Sequence, residues 1–373
     1  MLGYIILLIL LFTWNPFIIA LPEHLNISLR IGPRDAVRNV ILFLPVGFLY
    51  CLTQGSPLGA ILLGLAVSIG AEVGQLFIPA RTSSPVDLFT NTSGAAMGAA
   101  LYNLFSTRIA MSPRLVGRLA LEVPLMGLLY LLVPLLWVNR LTAGDPGRWL
   151  LTILIGICGA IVLSDTFQQW WGPGSRSVGR VALAATTWFF VGIGPGLFSQ
   201  PLAGLAALSG IALLAAALAI LPRRSNDHRF ERVTLLRLLP FFTIYLILAA
   251  LWPPLRPIGA WHAILGITGQ IVLGDVSINF RLLEYLAAFT VLGYIAAEWR
   301  GRAELSWRRD LPRLLLVGTA TALILELLVG FQSGPGASFL RPFIAICGAF
   351  FGGTIYHLQR DYVRSLLGRA IVP

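Results

Sequence analysis

Charged residues are scarce in this sequence, and lysine is missing from it. Only 12% of the 373 residues are charged, and all 27 basic residues are arginine. Soluble domains carry about twice that charged fraction. The chain is 57% hydrophobic, and apolar runs of roughly 20 residues, long enough to cross a bilayer, recur from end to end. These shortages exclude a soluble globular protein and predict an all-α, polytopic transmembrane helical bundle.

Cysteine is scarce as well. Cys51, Cys158 and Cys347 are dispersed within apolar runs, so they indicate neither a disulfide framework nor a metal site. The net charge of +11 comes from arginines that are scattered between the apolar runs rather than gathered in one block. We therefore expect no metal, no cofactor and no nucleic-acid partner.

The apolar runs predict about twelve membrane spans, built into four-helix units. Residues 1–19 lack the basic start and the cleavage site of a signal peptide, so they are predicted to begin the first span. The predicted spans lie near residues 3–21, 39–54, 58–79, 87–105, 119–138, 150–168, 181–199, 202–221, 238–254, 281–298, 313–331 and 342–358.

The distribution of arginine predicts that both termini are cytoplasmic. With the N-terminus inside, 18 of the 27 arginines fall in inner loops and the C-terminal tail, which leaves 9 for the outer loops. Cytoplasmic loops carry the excess of basic residues in membrane proteins. The same count places the loop around Arg81 on the outer face.

An internal repeat emerges when Glu72 is aligned with Glu326. Three further positions then agree without a gap, namely Gly94 with Gly348, Gly98 with Gly352, and Tyr102 with Tyr356. We therefore predict three domains: a four-helix unit at 1–107, a middle transmembrane unit at 119–221, and a diverged second copy of the first unit at 236–360.

Polar residues gather where the third predicted span ends and the fourth begins. Ser68, Glu72 and Gln75 share one helix face, and Asp87 follows at the start of the next span. The spacing predicts a polar pocket open toward the outer leaflet. Its candidate residues are Asn39, Glu72, Gln75, Arg81, Asp87 and Asn91.

Two interpretations of this polar cluster are open. Ionisable residues inside a membrane are candidates for function, since burying them in lipid is costly. Such a Glu72 would be protonated, paired with Arg81 or hydrated. Alternatively, Glu72, Gln75 and Asn91 hold helices together by hydrogen bonds, while Arg81 and Asp87 form an interfacial salt bridge.

Three blocks of this region resemble the VanZ-like family. They are RNVILFLPVGF (38–48), EVGQLFIPAR (72–81) and DLFTNTSGAAMG (87–98). They are similar to the family's Asn…Pro-x-Gly block, its Glu-x-x-Gln block leading into an Arg, and its Asp-x-x-x-Asn-x-x-Gly block. The resemblance covers residues 1–107. It implies a multi-pass protein of the bacterial cytoplasmic (inner) membrane with a role at the cell envelope, in a family whose founding member is associated with teicoplanin resistance.

The sequence departs from the family pattern in two places. Family loops often carry another acidic residue where TSSPV (82–86) is neutral, which disfavours a two-carboxylate metal or acid–base site. The second copy keeps Glu326 but carries Arg341 at the position of Asp87. Glu326 and Arg341 either pair with each other, or Arg341 completes the first site from across the bundle.

Three functions are compatible with these observations. The one we favour is binding or handling of a polar lipid, a lipid-linked glycan or a glycopeptide antibiotic, with Arg81 suited to phosphate. An intramembrane enzyme would use Glu72 or Asp87 as general base, but no Ser–His, Cys–His or metal constellation supports it. A non-catalytic scaffold would instead bind envelope-synthesis proteins.

Overall fold

The computed structural model describes the chain apart from residues 16–19, 22–25, 30–31, 80, 107–112, 142–145, 172–174, 198–199, 222–229, 255–257, 265–275, 302–304, 334–335 and 372–373. The described residues form twelve α-helices and two short strands. They are α1 (Leu2–Thr13), α2 (Pro33–Gln54), α3 (Pro57–Leu76), α4 (Pro85–Ser106), α5 (Pro113–Leu141), α6 (Trp149–Trp171), α7 (Ser175–Leu197), α8 (Pro201–Ile220), α9 (Phe230–Ala250), β1 (Ala263–Ile264), α10 (Val276–Glu298), α11 (Trp307–Gly330), β2 (Ala337–Ser338) and α12 (Leu340–Ile371).

The predicted all-α membrane bundle is confirmed, because each predicted span falls on one of these helices. Eight helices of the described chain, α2, α3, α5, α6 and α8 to α11, are long and apolar enough to cross a membrane. The first helix is shorter than predicted. It ends at Thr13, after 12 residues or roughly 18 Å. Pro16 is one reason, since a residue before proline is disfavoured in helical conformation.

Proline and glycine set several helix ends. Pro57 occupies the first position of α3, where a missing N–H costs nothing, and the Ser56 hydroxyl accepts a hydrogen bond from the Gly59 N–H. The preceding helix, α2, ends at Gln54 and is capped by Gly55, whose φ of 67° is readily adopted only by glycine. These signals position the hairpins that carry the candidate site.

The chain divides into two compact units. Unit 1 comprises Met1–Met111, Gly194–Ser199 and Ile271–Phe280, and unit 2 comprises Ser112–Ile193, Gln200–Gln270 and Arg281–Pro373. Helices α1 to α4 therefore belong to unit 1. The division into three domains at 1–107, 119–221 and 236–360 stays a prediction.

Within unit 1, α2 and α4 meet backbone to backbone. A Cβ atom added to Gly94 would lie 2.4 Å from the carbonyl oxygen of Val40, and one added to Gly98 would lie 2.0 Å from that of Leu44. Both distances are shorter than any real Cβ contact. Glycine is thus required at both positions for the two helices to pack this closely.

Within unit 2, α10 and α12 pack in the same way. A Cβ atom on Gly348 would lie 2.6 Å from the carbonyl oxygen of Leu286, and one on Gly352 would lie 1.9 Å from that of Thr290. Gly348 and Gly352 are the residues that the sequence repeat aligns with the two α4 glycines. The aligned glycines therefore make equivalent contacts in the two units.

A short backbone pairing closes the α3–α4 loop of unit 1. The Ser28 N–H donates to the Ser83 carbonyl at 2.9 Å, and the Ser83 N–H donates to the Asn26 carbonyl at 3.0 Å. In unit 2, β1 pairs in parallel with β2 at the corresponding place before α12. Each pairing fixes the loop that leads into the polar end of the following helix.

Candidate functional site

Glu72 lies one turn before the end of α3 and is 5% exposed. Its Oε2 accepts hydrogen bonds from the Ser83 hydroxyl at 2.8 Å and from the Ser84 backbone N–H at 2.7 Å. Among the described residues, Oε1 has no hydrogen-bond partner. One oxygen of the carboxylate is thus hydrogen-bonded to the α3–α4 loop. The other is open, which here means that no described residue donates a hydrogen bond to it.

Arg81 is half-buried in the α3–α4 loop and does not pair with Glu72 or Asp87. Its Nε donates to the Asn15 carbonyl at 2.8 Å, and its two Nη groups have no partner within the part of the chain that the structure describes. Burial lowers the pKa of the Arg81 guanidinium, because it disfavours the charged form. Arg81 therefore does not form the interfacial salt bridge with Asp87 that the structural interpretation predicted.

Asp87 sits in the first turn of α4 and is fixed by Asn39 of α2. The Asn39 Nδ2 donates to the Asp87 Oδ1 at 2.8 Å and to the Thr90 hydroxyl at 3.2 Å. Oδ2 of Asp87 has no partner among the residues described. Because the Asp87 N–H donates to the Ser84 carbonyl at 3.0 Å, Glu72 and Asp87 are both attached to Ser84.

The other two candidates differ from each other. Asn91 is buried, and its Nδ2 donates to the Ser68 hydroxyl at 2.9 Å, which joins α4 to α3. This contact is the interhelical hydrogen bond of the structural interpretation. Gln75 is half-buried, and within the described residues its side chain has no hydrogen-bond partner.

Three residues of this site were missed by the sequence analysis. Ser83 and Ser84 of the neutral α3–α4 loop donate hydrogen bonds to Glu72, and the Asn15 carbonyl accepts one from Arg81. A signal for Ser84 was present in the repeat, since Ser338 lies at the same interval after Glu326. No side-chain pattern signals a backbone carbonyl such as that of Asn15.

In unit 2, the carboxylate of Glu326, which the sequence repeat aligns with Glu72, is paired with an arginine. Arg341 donates from Nε to the Glu326 Oε1 at 2.8 Å and from Nη2 to Oε2 at 2.9 Å. The Ser338 N–H donates to the same Oε2 at 2.8 Å. Of the two roles open to Arg341, the structure thus shows the internal pair with Glu326. Arg341, which the sequence repeat aligns with Asp87, thus forms a bidentate ion pair with Glu326, whereas Glu72 pairs with no arginine among the described residues.

The comparison with protein families agrees with the resemblance of the three motif blocks. The family model described as VanZ/LLP1 matches residues 3–106, which contain α1 to α4. No curated protein and no solved structure matches the chain. With its apolar helices, the chain is a multi-pass membrane protein whose first four helices match the VanZ/LLP1 family model.

Proposed function

We propose that unit 1 binds the polar headgroup of an envelope lipid or lipid-linked glycan at the junction of α3 and α4, on the outer face of the bacterial inner membrane. The observation that carries the proposal is a set of open charged atoms on fixed side chains. Glu72 Oε1, Asp87 Oδ2 and the Nη groups of Arg81 have no partner among the described residues. In each case another atom of the same side chain is anchored.

This set matches a headgroup that carries both a phosphate and amine or hydroxyl groups. The Nη groups of Arg81 can donate two parallel hydrogen bonds to phosphate oxygens. Glu72 and Asp87 can accept hydrogen bonds from an ammonium or from sugar hydroxyls. A glycopeptide antibiotic offers amines and hydroxyls but no phosphate, so it would use the two carboxylates.

The pairing in unit 2 supports this proposal. There the aligned carboxylate, Glu326, is neutralised by Arg341, which leaves no open acidic oxygen for a ligand. The equivalent glycine contacts and loop pairings also support the inference that residues 236–360 are a diverged copy of the first unit. We place ligand binding in the first copy only.

A second candidate function is a transfer or hydrolysis reaction on the same substrates. One contact favours it: the Ser83 hydroxyl donates to the Glu72 carboxylate at 2.8 Å. A hydroxyl beside a carboxylate is the starting arrangement of an activated nucleophile. We rank it below binding because, within the described residues, no histidine and no second carboxylate is hydrogen-bonded to the Ser83–Glu72 pair.

The experiment uses purified full-length protein and native mass spectrometry with phosphatidylethanolamine, a lipid-linked disaccharide pyrophosphate and teicoplanin as separate probes. We expect Arg81→Gln to weaken binding of the two phosphate-bearing probes about tenfold, since hydrogen bonds to a charged group are lost. Asp87→Asn should weaken binding of all three probes. Arg38→Gln, which changes a partly exposed arginine of α2 that pairs with Asp35, is the matched control.

The outcomes separate the candidate functions. Headgroup binding at the α3–α4 junction is refuted if folded variants bind all three probes as the wild type does. These variants are Glu72→Gln, Arg81→Gln and Asp87→Asn. The scaffold function would then remain. Conversion of the lipid-linked probe by the wild type but not by Ser83→Ala would establish the enzyme instead.

A further inference from the structure

Arg140, the penultimate residue of α5, carries a buried guanidinium without an anion. The residue is 2% exposed. None of its three nitrogen atoms, Nε, Nη1 and Nη2, has a hydrogen-bond acceptor among the residues that the structure describes. A guanidinium has five N–H donors, and burying all of them unpaired is costly. This position therefore calls for an acceptor that the described side chains do not supply.

Glu284, the acidic group beside Arg148 among the described residues, already has its hydrogen-bond partners. Glu284 of α10 accepts from Arg148 Nη2 through Oε2, and its Oε1 accepts from the Asn139 Nδ2 at 2.8 Å and the Tyr245 hydroxyl at 3.0 Å. Arg148 and Glu284 are each 3% exposed or less. Of the two buried guanidinium groups, only that of Arg148 pairs with this carboxylate, which leaves the charge of Arg140 uncompensated within the described residues.

Arg140 is held in a fixed orientation. Its Cζ lies 3.7 Å from the centroid of the Trp149 ring, and the Trp149 Nε1 donates to the Gln200 side chain at 2.6 Å. Stacking on an aromatic face occupies one side of the guanidinium plane and leaves the N–H groups, which lie in that plane, available. Arg148 is close enough for the two guanidinium groups to repel each other, and its Nε is also buried without an acceptor.

We propose that Arg140 and Arg148 form a binding site for a phosphate group, carried by a lipid headgroup or free in solution. The planar fork of a guanidinium fits phosphate oxygens, and two such groups exceed the single carboxylate by one charge. The site adjoins the N-terminus of α6, whose backbone dipole favours an anion. It lies in unit 2, outside the VanZ-like region, and does not depend on the function proposed for unit 1.

The test measures thermal stability of the purified full-length protein in a neutral detergent. The probes are dioleoyl phosphatidic acid, inorganic phosphate, and dioleoylglycerol as the lipid without a headgroup. We expect phosphatidic acid to raise the melting temperature of the wild type and dioleoylglycerol to leave it unchanged. If inorganic phosphate also raises the melting temperature, the phosphate group alone is sufficient for binding. If it does not, the site requires the phosphate of a lipid headgroup.

Variants at Arg140 decide whether this site is responsible. Arg140→Gln should raise the half-saturating concentration of the effective probe about tenfold or more. Arg180→Gln, at an exposed arginine of unit 2, should leave that concentration unchanged. Arg140→Lys keeps the charge but loses the planar fork of N–H donors. We expect it to weaken probe binding severalfold while the protein remains folded. Absence of stabilisation in the wild type, or wild-type affinity in Arg140→Lys, would overturn the proposal.

Discussion

One residue decides whether the carboxylate at the end of α3 or α11 is open. Glu72 and Glu326 each accept a hydrogen bond from the backbone N–H of a serine twelve residues later, Ser84 and Ser338. The residue three positions after that serine is an aspartate in unit 1 and Arg341 in unit 2. An arginine in place of an aspartate changes the local charge by two, so the glutamate lies beside an acidic residue in unit 1 and in an ion pair in unit 2.

The energetic roles of the two glutamates should therefore differ. Glu326→Gln leaves the mostly buried Arg341 without its anion, and we expect it to lower the free energy of unfolding by about 3 kcal/mol. Glu72→Gln leaves no cation unpaired and should cost about 1 kcal/mol. Unfolding of the purified variants by denaturant in detergent measures both values.

A double variant provides the control. Arg341→Met removes the unpaired charge, so Glu326→Gln combined with Arg341→Met should be more stable than Glu326→Gln alone. Simple addition of the two single effects would show that the ion pair contributes nothing.

The sequence predicted the charged residues of the site but not the contacts between them. Asn39 and Asp87 do meet, because Asp87 lies in the first turn of α4 and Asn39 faces it from the second turn of α2. Arg81 binds the Asn15 carbonyl rather than a carboxylate. That contact uses a backbone carbonyl group, and no local side-chain pattern encodes it.

At the scale of helices, close packing rests on glycine rather than on large apolar side chains. The two α4 glycines allow the helix to approach the carbonyl groups of α2 to distances that exclude any side chain. In lipid, such close contact is a main source of helix association, since the hydrophobic effect no longer distinguishes protein from solvent.

We therefore expect Gly98→Ala to destabilise the protein by about 2 kcal/mol, because the new methyl group would overlap the Leu44 carbonyl. Gly70→Ala in α3 is the matched control, since a Cβ atom there meets nothing within 4 Å. It should be neutral or stabilising by roughly 0.5 kcal/mol, as alanine favours a helix. Thermal unfolding in detergent compares the two, and equal losses would contradict the packing argument.

Helix existence was predictable from sequence, whereas helix length was not. α2 begins at Pro33 rather than near residue 39, and α12 continues to Ile371, well past the predicted end at 358. Hydropathy detects the apolar part of a helix. The polar turns of α2 and α12 extend beyond that part, so they carry no apolar signal.

At the scale of the whole molecule, orientation in the membrane is the property that the candidate site depends on. The excess of arginine in alternate loops predicts that both termini are cytoplasmic and that the α3–α4 loop faces outward. The function proposed for unit 1 requires this arrangement, because that proposal places the ligand at the outer face of the membrane.

Cysteine labelling tests the orientation. Thr82 is exposed in the α3–α4 loop, and we expect Thr82→Cys to react with a membrane-impermeant maleimide in intact cells. Arg180→Cys, predicted to lie inside, should react only after permeabilisation. Cys51 and Cys158 are buried, which limits their background. The reverse labelling pattern would place the site on the cytoplasmic face.

The serine contacts of Glu72 have a consequence for how the chain enters the membrane. Both donors lie 11 and 12 residues after the glutamate, in the loop between α3 and α4. The partners that satisfy the carboxylate are thus synthesised immediately after α3 and belong to the same hairpin. We therefore expect that a hairpin inserting as one piece carries its acidic group already hydrogen-bonded, without partners from later helices.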